Sequence, residues 1–216
     1  MKKAKLIALV LAVMCVLALS ACGASFDPVA YVQGNFDAAF HGDITDEFVA
    51  TLDDVDSVED FEAEYNELID ATTDGFLTSM GIFDPSETLR ADTRDMFITL
   101  MDSAKYEVSN EYVENEDGSY IVEVTVYPLL TYLDVCLDED GAIEAAALEK
   151  VTADMSYDQI ITVFLEEIIA AVNIAMENPE YGEGIVYEVE IFIDEDGYYN
   201  VDESAMEEIG AAILGA

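Results

Sequence analysis

The sequence predicts an α+β protein in which helices pack on an antiparallel sheet. Apolar residues recur at helical spacing between Pro28 and Ala104, and the spacing then changes to every second residue. Asp117-Gly118 interrupts this alternation as a β-hairpin turn does, and Asp196-Gly197 interrupts a second alternating stretch. The helices have one apolar face each, so they need a surface to pack on, and the two hairpins can supply it.

Four helices are predicted before the first strand. Asp27 followed by Pro28 is an N-cap and first-turn signal, and Ser57 has the character of a second N-cap. The inner stripe of the helix that begins at Ser57 includes Phe76 and Met80. The predicted bounds of the four helices are Asp27–Gly42, Asp46–Leu52, Ser57–Gly81 and Asp84–Ala104.

Four strands follow from the two alternating stretches. Val122, Val124 and Val126 share one face of the second strand, so this face is predicted to be buried. Pro128 marks the end of that strand or a sheet edge. The predicted strands are Tyr106–Asn115, Tyr120–Tyr127, Ile185–Ile193 and Tyr198–Val201.

A long apolar helix lies between the two hairpins. Ser156, with Gln159 three residues on, has the spacing of a capping box, and the helix runs to about Asn178. Because its residues are apolar nearly all round, it is predicted to be the most buried helix, with Phe164 and Ile168 both deeply buried. Shorter helices are predicted over Ala142–Lys150 and, near the end of the chain, from Met206 to Ile213.

The N-terminal segment predicts export. Three lysines in the first five residues precede an uncharged apolar run from Leu6 to Leu19, which is the pattern of a signal peptide. The run ends in Leu19-Ser20-Ala21-Cys22, which resembles the bacterial lipobox. Residues 1–21 are therefore predicted to be a lipoprotein signal peptide, residues 22–27 a lipidated tether, and residues 28–216 a single α+β domain.

The lipobox resemblance implies a diacylglyceryl thioether on Cys22, often with a third acyl chain on its amine. Two or more chains anchor a protein stably, whereas one chain binds a membrane only marginally. The membrane is thus a predicted partner through Cys22, and the predicted location is the extracellular face of the cell membrane. The alternative is an uncleaved transmembrane anchor, because residues 6–24 carry no charge and are nearly long enough to span a bilayer.

The composition excludes one class of partner. Three of the seven basic residues precede Cys22, which leaves four against 48 acidic residues and a formal charge of −44 for the mature chain. Nucleic acid is excluded, since its binding depends on neutralising phosphates. The acidic residues are scattered, which indicates a solvated surface; weak cation binding or capture of a basic partner is the alternative.

Few residues have the types that nucleophilic and metal sites require. His41 is the only histidine and is predicted to end the first helix. Cys136 is the only thiol of the mature chain besides Cys22, and its apolar neighbours predict a buried, inert side chain. A histidine-based triad or a zinc site would lack its usual parts. No catalytic residue, no metal ligand and no cofactor is therefore predicted.

An Asp-x-Asp-Gly pattern occurs twice, at Asp138–Gly141 and Asp194–Gly197. A calcium-binding EF-hand would also need an oxygen ligand two residues upstream and a glutamate six residues after the glycine. Neither stretch has both, so the preferred interpretation is turn chemistry, with Asp and Gly at positive φ between strands.

Four stretches carry a family resemblance: Tyr31–Gly42 ("YVQGNFDAAFHG"), Lys105–Val108, Asp117–Pro128 and Asp194–Asp202 ("DEDGYYNVD"). Their order resembles a family of uncharacterised Gram-positive lipoproteins with a nuclear-transport-factor-2-like, or cystatin-like, domain. The resemblance implies a curved antiparallel sheet that wraps helices into a cone. It supplies no functional residue. Some relatives of the fold are isomerases that use an Asp base and a Tyr donor, and Tyr127, Tyr132 and Asp134 could supply those types.

The predicted function is that of a lipid-anchored extracytoplasmic domain that binds a small ligand or another envelope protein. The first alternative is an enzyme of isomerase or hydrolase type that uses a pocket Asp and Tyr. The second is an accessory subunit of a surface complex. A cavity with convergent polar groups would favour ligand binding or catalysis, and an exposed apolar patch outside any cavity would favour the accessory role.

The acidity predicts that stability depends on salt. Carboxylates at a formal charge of −44 repel one another, so the melting temperature of residues 22–216 should rise from low to high sodium chloride as the charges are screened. A flat response would show that the acidic residues are well paired. Calcium and magnesium at equal ionic strength form the control, and a much larger rise with calcium would reveal a specific site.

Overall fold

The computed structural model describes residues 19–20, 26–49, 57–138, 140–194 and 198–214. Its helices are α1 (Pro28–Phe36, continued by a π-helical turn over Asp37–His41), α2 (Asp46–Val49), α3 (Val58–Ser79), α4 (Glu87–Asp102), α5 (Leu130–Leu137), α6 (Ala142–Lys150), α7 (Tyr157–Met176) and α8 (Glu203–Ile213). Its strands are β1 (Leu19–Ser20), β2 (Tyr106–Glu114), β3 (Tyr120–Val126), β4 (Ile185–Ile193) and β5 (Tyr198–Val201). The predicted α+β class is confirmed.

The strands form one antiparallel sheet in the order β1-β5-β4-β3-β2. Each predicted hairpin is present, and β3 pairs with β4 along its whole length, which joins the two hairpins into one sheet. A bulge interrupts the register of β2 between Val108 and Tyr112. Leu19 and Ser20 precede the predicted cleavage point, so cleavage before Cys22 would leave four strands.

The two faces of the sheet differ in chemistry. Val122, Val124 and Val126 are fully buried on the face that α1 and α8 cover, as their alternation predicts. On the opposite face Glu123 pairs across the strands with Glu188, and both are exposed. Like charges directly opposite each other destabilise a sheet. This pair is therefore one structural source of the expected salt dependence.

A second apolar cluster lies among the helices rather than on the sheet. It is built from α3, α4 and α7, together with Leu129, which is fully buried just before α5. Helix α7 contacts α4, α5 and α6, so three neighbouring elements depend on its position.

The predicted start of α7 is confirmed, but the prediction that it is the most buried helix is wrong, since four of its 20 residues are buried against five of nine in α1. The capping box forms in both directions between Ser156 and Gln159, but Phe164 and Ile168 are half-buried rather than deeply buried. Helix α7 is also exposed along another side, where the side chain of Ile174 is 69% exposed. Its buried residues form a narrower stripe that lies one position further along: Leu165, Ile169, Val172 and Met176.

Helix α7 is long and apolar enough to cross a membrane, with a mean hydropathy of 1.7 over its most apolar window. By length and composition alone, it is the one such helix in the described part of the chain. The same properties suit a helix that packs inside a protein. In this structure α7 contacts three other helices, and 28% of its apolar window is buried.

The other element boundaries agree with the prediction, with two local differences. The fourth helix begins at Glu87 with Ser86 as its N-cap, rather than at Asp84-Pro85. Residues 129–153 form two helices, α5 and α6, of which only the second was predicted. The predicted extension of α2 beyond Val49 and the turn at Asp196-Gly197 lie outside the described residues.

Phe26 corrects the expected extent of the tether. Its ring stacks on Tyr199 with the centroids 3.6 Å apart and the planes 6° from parallel, and it also contacts Tyr31 and Tyr120. The hydroxyl of Tyr31 donates a hydrogen bond of 2.8 Å to the carbonyl of Tyr199. Phe26 therefore belongs to the packed fold, and the chain is attached to the sheet four residues after Cys22.

Truncation of the buried stripe of α7 should be costly. Leu165→Ala is expected to lower the free energy of unfolding by about 2–5 kcal/mol, because it removes buried contacts and leaves a cavity. Ile174→Ala on the exposed side of the same helix should change it by less than about 0.5 kcal/mol. Denaturant unfolding of residues 22–216 measures both values. Equal values would mean that α7 does not pack as the structure shows.

Candidate functional site

A cavity of about 380 Å³ lies between the two apolar clusters. Phe40 at the end of α1 and Ile213 at the end of α8 reach it from the sheet side, while α3, α4, α5 and α7 line it from the helical side. Its volume falls in the range of about 300–1,000 Å³ that is usual for small-molecule sites.

The lining is largely aromatic and thioether in character. Four phenylalanines and three methionines contribute: Phe40, Phe76, Phe97, Phe164, Met80, Met96 and Met101. The ring of Phe76 meets that of Phe97 edge to face, with the centroids 5.3 Å apart. Aromatic rings give a fixed apolar surface, and methionine adapts to irregular shapes. This lining suits an apolar ligand, or an apolar part of one.

Two polar groups of α5 enter this lining. Tyr132 and Cys136 stand one turn apart on α5, and both line the cavity. Burial, with a smaller effect of Cys136, raises the pKa of Tyr132 well above its ordinary value. The phenol therefore stays protonated and able to donate a hydrogen bond. The expected burial of Cys136 is corrected, since it is half-buried and faces the cavity.

The charged groups of the lining are both acidic. The two carboxylate oxygens of Asp138 accept hydrogen bonds from the backbone amides of Ile143 (3.0 Å) and Glu144 (3.1 Å), so this side chain holds the start of α6. The side chain of Glu144 is exposed and also borders the cavity. No lysine or arginine of the described residues lines it.

The four basic residues of the predicted mature chain have other partners. Arg90 contacts Asp74 at 2.7 Å and lowers the pKa of that carboxyl, while Arg94 contacts Asp70 at 2.9 Å. Both pairs join α4 to α3. Lys150 of α6 pairs with Glu167 of α7. The ammonium of Lys105 lies over the rings of Tyr127, at 4.4 Å, and Tyr181, at 5.2 Å.

The residues proposed for an Asp and Tyr pair are not brought together. Tyr132 lines the cavity, but Asp134 is exposed and does not line it. Tyr127 does not line the cavity, and its ring lies below the ammonium of Lys105. The aspartate that does line the cavity is Asp138, and backbone amides already occupy its carboxylate.

His41 is the last residue of the π-helical turn after α1, as predicted. Its ring stacks on Tyr106 at 5.5 Å, and Nε2 lies 3.4 Å from the carbonyl oxygen of Ala104. Within the described residues no group of three or more histidine, cysteine or acidic side chains is placed to hold a metal ion. Cys22 lies outside these residues.

The described residues of the two Asp-x-Asp-Gly stretches differ in what they show. At the first, Asp138 has φ 42° and Gly141 has φ 67°, so the predicted positive φ is confirmed, although the turn joins two helices and not two strands. At the second, the carboxylate of Asp194 accepts hydrogen bonds from the backbone amide of Tyr198 (3.0 Å) and from Asn200 Nδ2 (2.8 Å).

Comparison with solved structures shows one protein of similar fold. It is a "putative lipoprotein (ycdA)" from Bacillus subtilis subsp. subtilis str. 168, and its crystal structure superposes with a TM-score of 0.53 at 15% sequence identity. The two share a fold. The match covers 84% of this chain but 54% of the other, so this chain spans about half the length of that protein. No protein-family model and no curated protein matches the chain.

Four residues of the predicted core faces line the cavity instead: Phe76, Met80, Phe164 and Ile168. Their fully packed neighbours, such as Leu77 and Leu165, stand one position away. The excess apolar width of α7 is the sequence signal of the cavity, because it exceeds what one packing surface can cover.

Proposed function

We propose that this chain is a lipid-anchored extracytoplasmic protein that binds a small apolar ligand in the cavity between α3, α4, α5 and α7. The cavity is the observation that carries the proposal. A largely apolar pocket with a few polar groups is the common form of a small-molecule site. Here Tyr132 and Cys136 provide those polar groups on one turn of α5.

The sequence before Phe26 supports the anchored part of the proposal. The run from Leu6 and the lipobox-like Leu19–Cys22 are the features of a lipoprotein. Phe26 packs on the sheet, and a span of four residues covers at most about 14 Å. A lipid on Cys22 would therefore hold this end of the sheet close to the membrane surface.

The finer assignment to a nuclear-transport-factor-2-like cone is part of the proposal. What supports it is the antiparallel order β5-β4-β3-β2, with α1 and α8 on one face and the other face exposed to solvent. Such an arrangement places the interior of the fold beside helices, where the cavity lies. The alternative occupant of the same apolar site is a segment of another envelope protein.

The anchor is tested by Cys22→Ala. Without the thiol no thioether can form, so the protein should leave the membrane fraction or accumulate with its signal peptide attached. Membrane fractionation and the mass of the N-terminal peptide measure the outcome. Ser25→Ala is a nearby control that should leave the location unchanged. A transmembrane anchor is indicated instead if the unsubstituted protein keeps residues 1–21 and its Cys22 peptide carries no lipid.

The ligand site is tested by filling the cavity. Ile168→Phe adds a ring to the lining, whereas Ile174→Phe makes the same change on the exposed side of the same helix. Residues 22–216 should bind the neutral apolar dye N-phenyl-1-naphthylamine, with fluorescence as the measurement. Ile168→Phe should weaken this binding at least about tenfold, the loss expected when about 1.4 kcal/mol of contact energy is removed. Ile174→Phe should leave it unchanged.

The melting temperatures of both variants show whether they remain folded. If Ile168→Phe is folded and still binds the dye with the original affinity, the dye site lies elsewhere and the proposed use of the cavity is wrong. If the original chain binds no dye and no apolar compound of similar size, the binding function itself is wrong.

A further inference from the structure

The charges around the cavity bear on what kind of ligand it can hold. Asp138 and Glu144 both line it, and no basic residue of the described chain does. The four basic residues of the predicted mature chain are held in ion pairs or over aromatic rings. A ligand with a carboxylate or phosphate head would therefore meet two carboxylates and find no cation to pair with.

The acidic groups of the lining are not equivalent. Asp138 is half-buried, and its carboxylate oxygens accept hydrogen bonds from two backbone amides at 3.0 and 3.1 Å. Glu144, by contrast, is exposed on the first turn of α6. Of the two, Glu144 is therefore the more accessible to the head of a ligand whose chain lies inside.

The aromatic lining suits the apolar part of such a ligand. Five aromatic residues line the cavity: Phe40, Phe76, Phe97, Tyr132 and Phe164. Their rings give an apolar chain a fixed surface to pack on. The volume of about 380 Å³ lies within the usual range of small-molecule sites.

We propose that the ligand is a cationic amphiphile, with its apolar chain inside the cavity and an amine or quaternary ammonium head beside Glu144. This inference rests on the proposed function of the cavity and adds the chemical class of its ligand. The overall acidity of the protein would attract any cation weakly and at long range. The preference for a cationic head at the cavity is instead local, because it depends on the carboxylate of Glu144.

The test compares three amphiphiles with the same chain. Decyltrimethylammonium, decanol and decanoate are each used below micellar concentrations to displace N-phenyl-1-naphthylamine from residues 22–216. The ammonium compound should bind about tenfold more tightly than decanol, and decanoate should bind most weakly. Decanol binding as tightly as the ammonium compound, or decanoate binding as tightly as decanol, would overturn the proposed ligand class.

Two substitutions on α6 separate the local carboxylate from the general field. Glu144→Gln and Glu149→Gln remove the same charge from the same helix, but only Glu144 lines the cavity. Glu144→Gln should weaken ammonium binding about three- to tenfold and leave decanol binding unchanged. Glu149→Gln should change neither by more than about twofold. Equal effects of the two variants on the ammonium compound would refute the role of Glu144. Failure of the dye and all three amphiphiles to bind would instead reject the proposed function.

Discussion

The packing of α7 is the interaction on which most of the helical part depends. Its buried stripe, Leu165, Ile169, Val172 and Met176, belongs to the second apolar cluster, and the helix contacts α4, α5 and α6. Ser156 and Gln159 fix where it begins through a reciprocal capping box. Because the stripe is narrow, the adjoining apolar residues Phe164 and Ile168 are left to line a cavity. The same helix therefore supports the fold and forms the candidate site.

Electrostatic attraction contributes little to the stability of this fold. The ion pairs lie at two contacts between helices. Arg90 and Arg94 lie on the seam between α3 and α4, and Lys150 lies on the seam between α6 and α7. Exposed ion pairs of this kind contribute about 0–1 kcal/mol each, far less than the burial of one large apolar side chain. Stability must therefore come from the two apolar clusters. The unbalanced carboxylates, such as the facing pair Glu123 and Glu188, oppose it.

Local sequence signals predicted the helices and strands well. They did not predict which apolar residues line the cavity, because that depends on how the helices pack. The helix starts at Asp27, Ser57 and Ser156 could be predicted because an N-cap acts locally. Each of these side chains accepts hydrogen bonds from nearby backbone amides. The valines of β3 were readable because strand residues alternate faces. Helical spacing cannot distinguish a residue in close contact from its neighbour one position away, since both lie within a wide apolar arc. For this reason the sequence predicts Phe164 to be deeply buried, whereas it lines the cavity. The sequence predicts Asp138 as a turn residue, but its position in the cavity lining depends on how α5 and α6 pack against each other.

The path of α1 relates the cavity to the anchor. Phe26 packs on Tyr199 and Tyr120, at the hairpin end of the sheet, while Phe40 lines the cavity fourteen residues later. At about 1.5 Å per residue, the helix separates these two points by about 20 Å. In the proposed lipoprotein, lipid chains on Cys22 would hold the Phe26 end near the bilayer. The cavity would then lie one helix length from the point of attachment, so the packing of Phe26 and the lining by Phe40 are joined through α1.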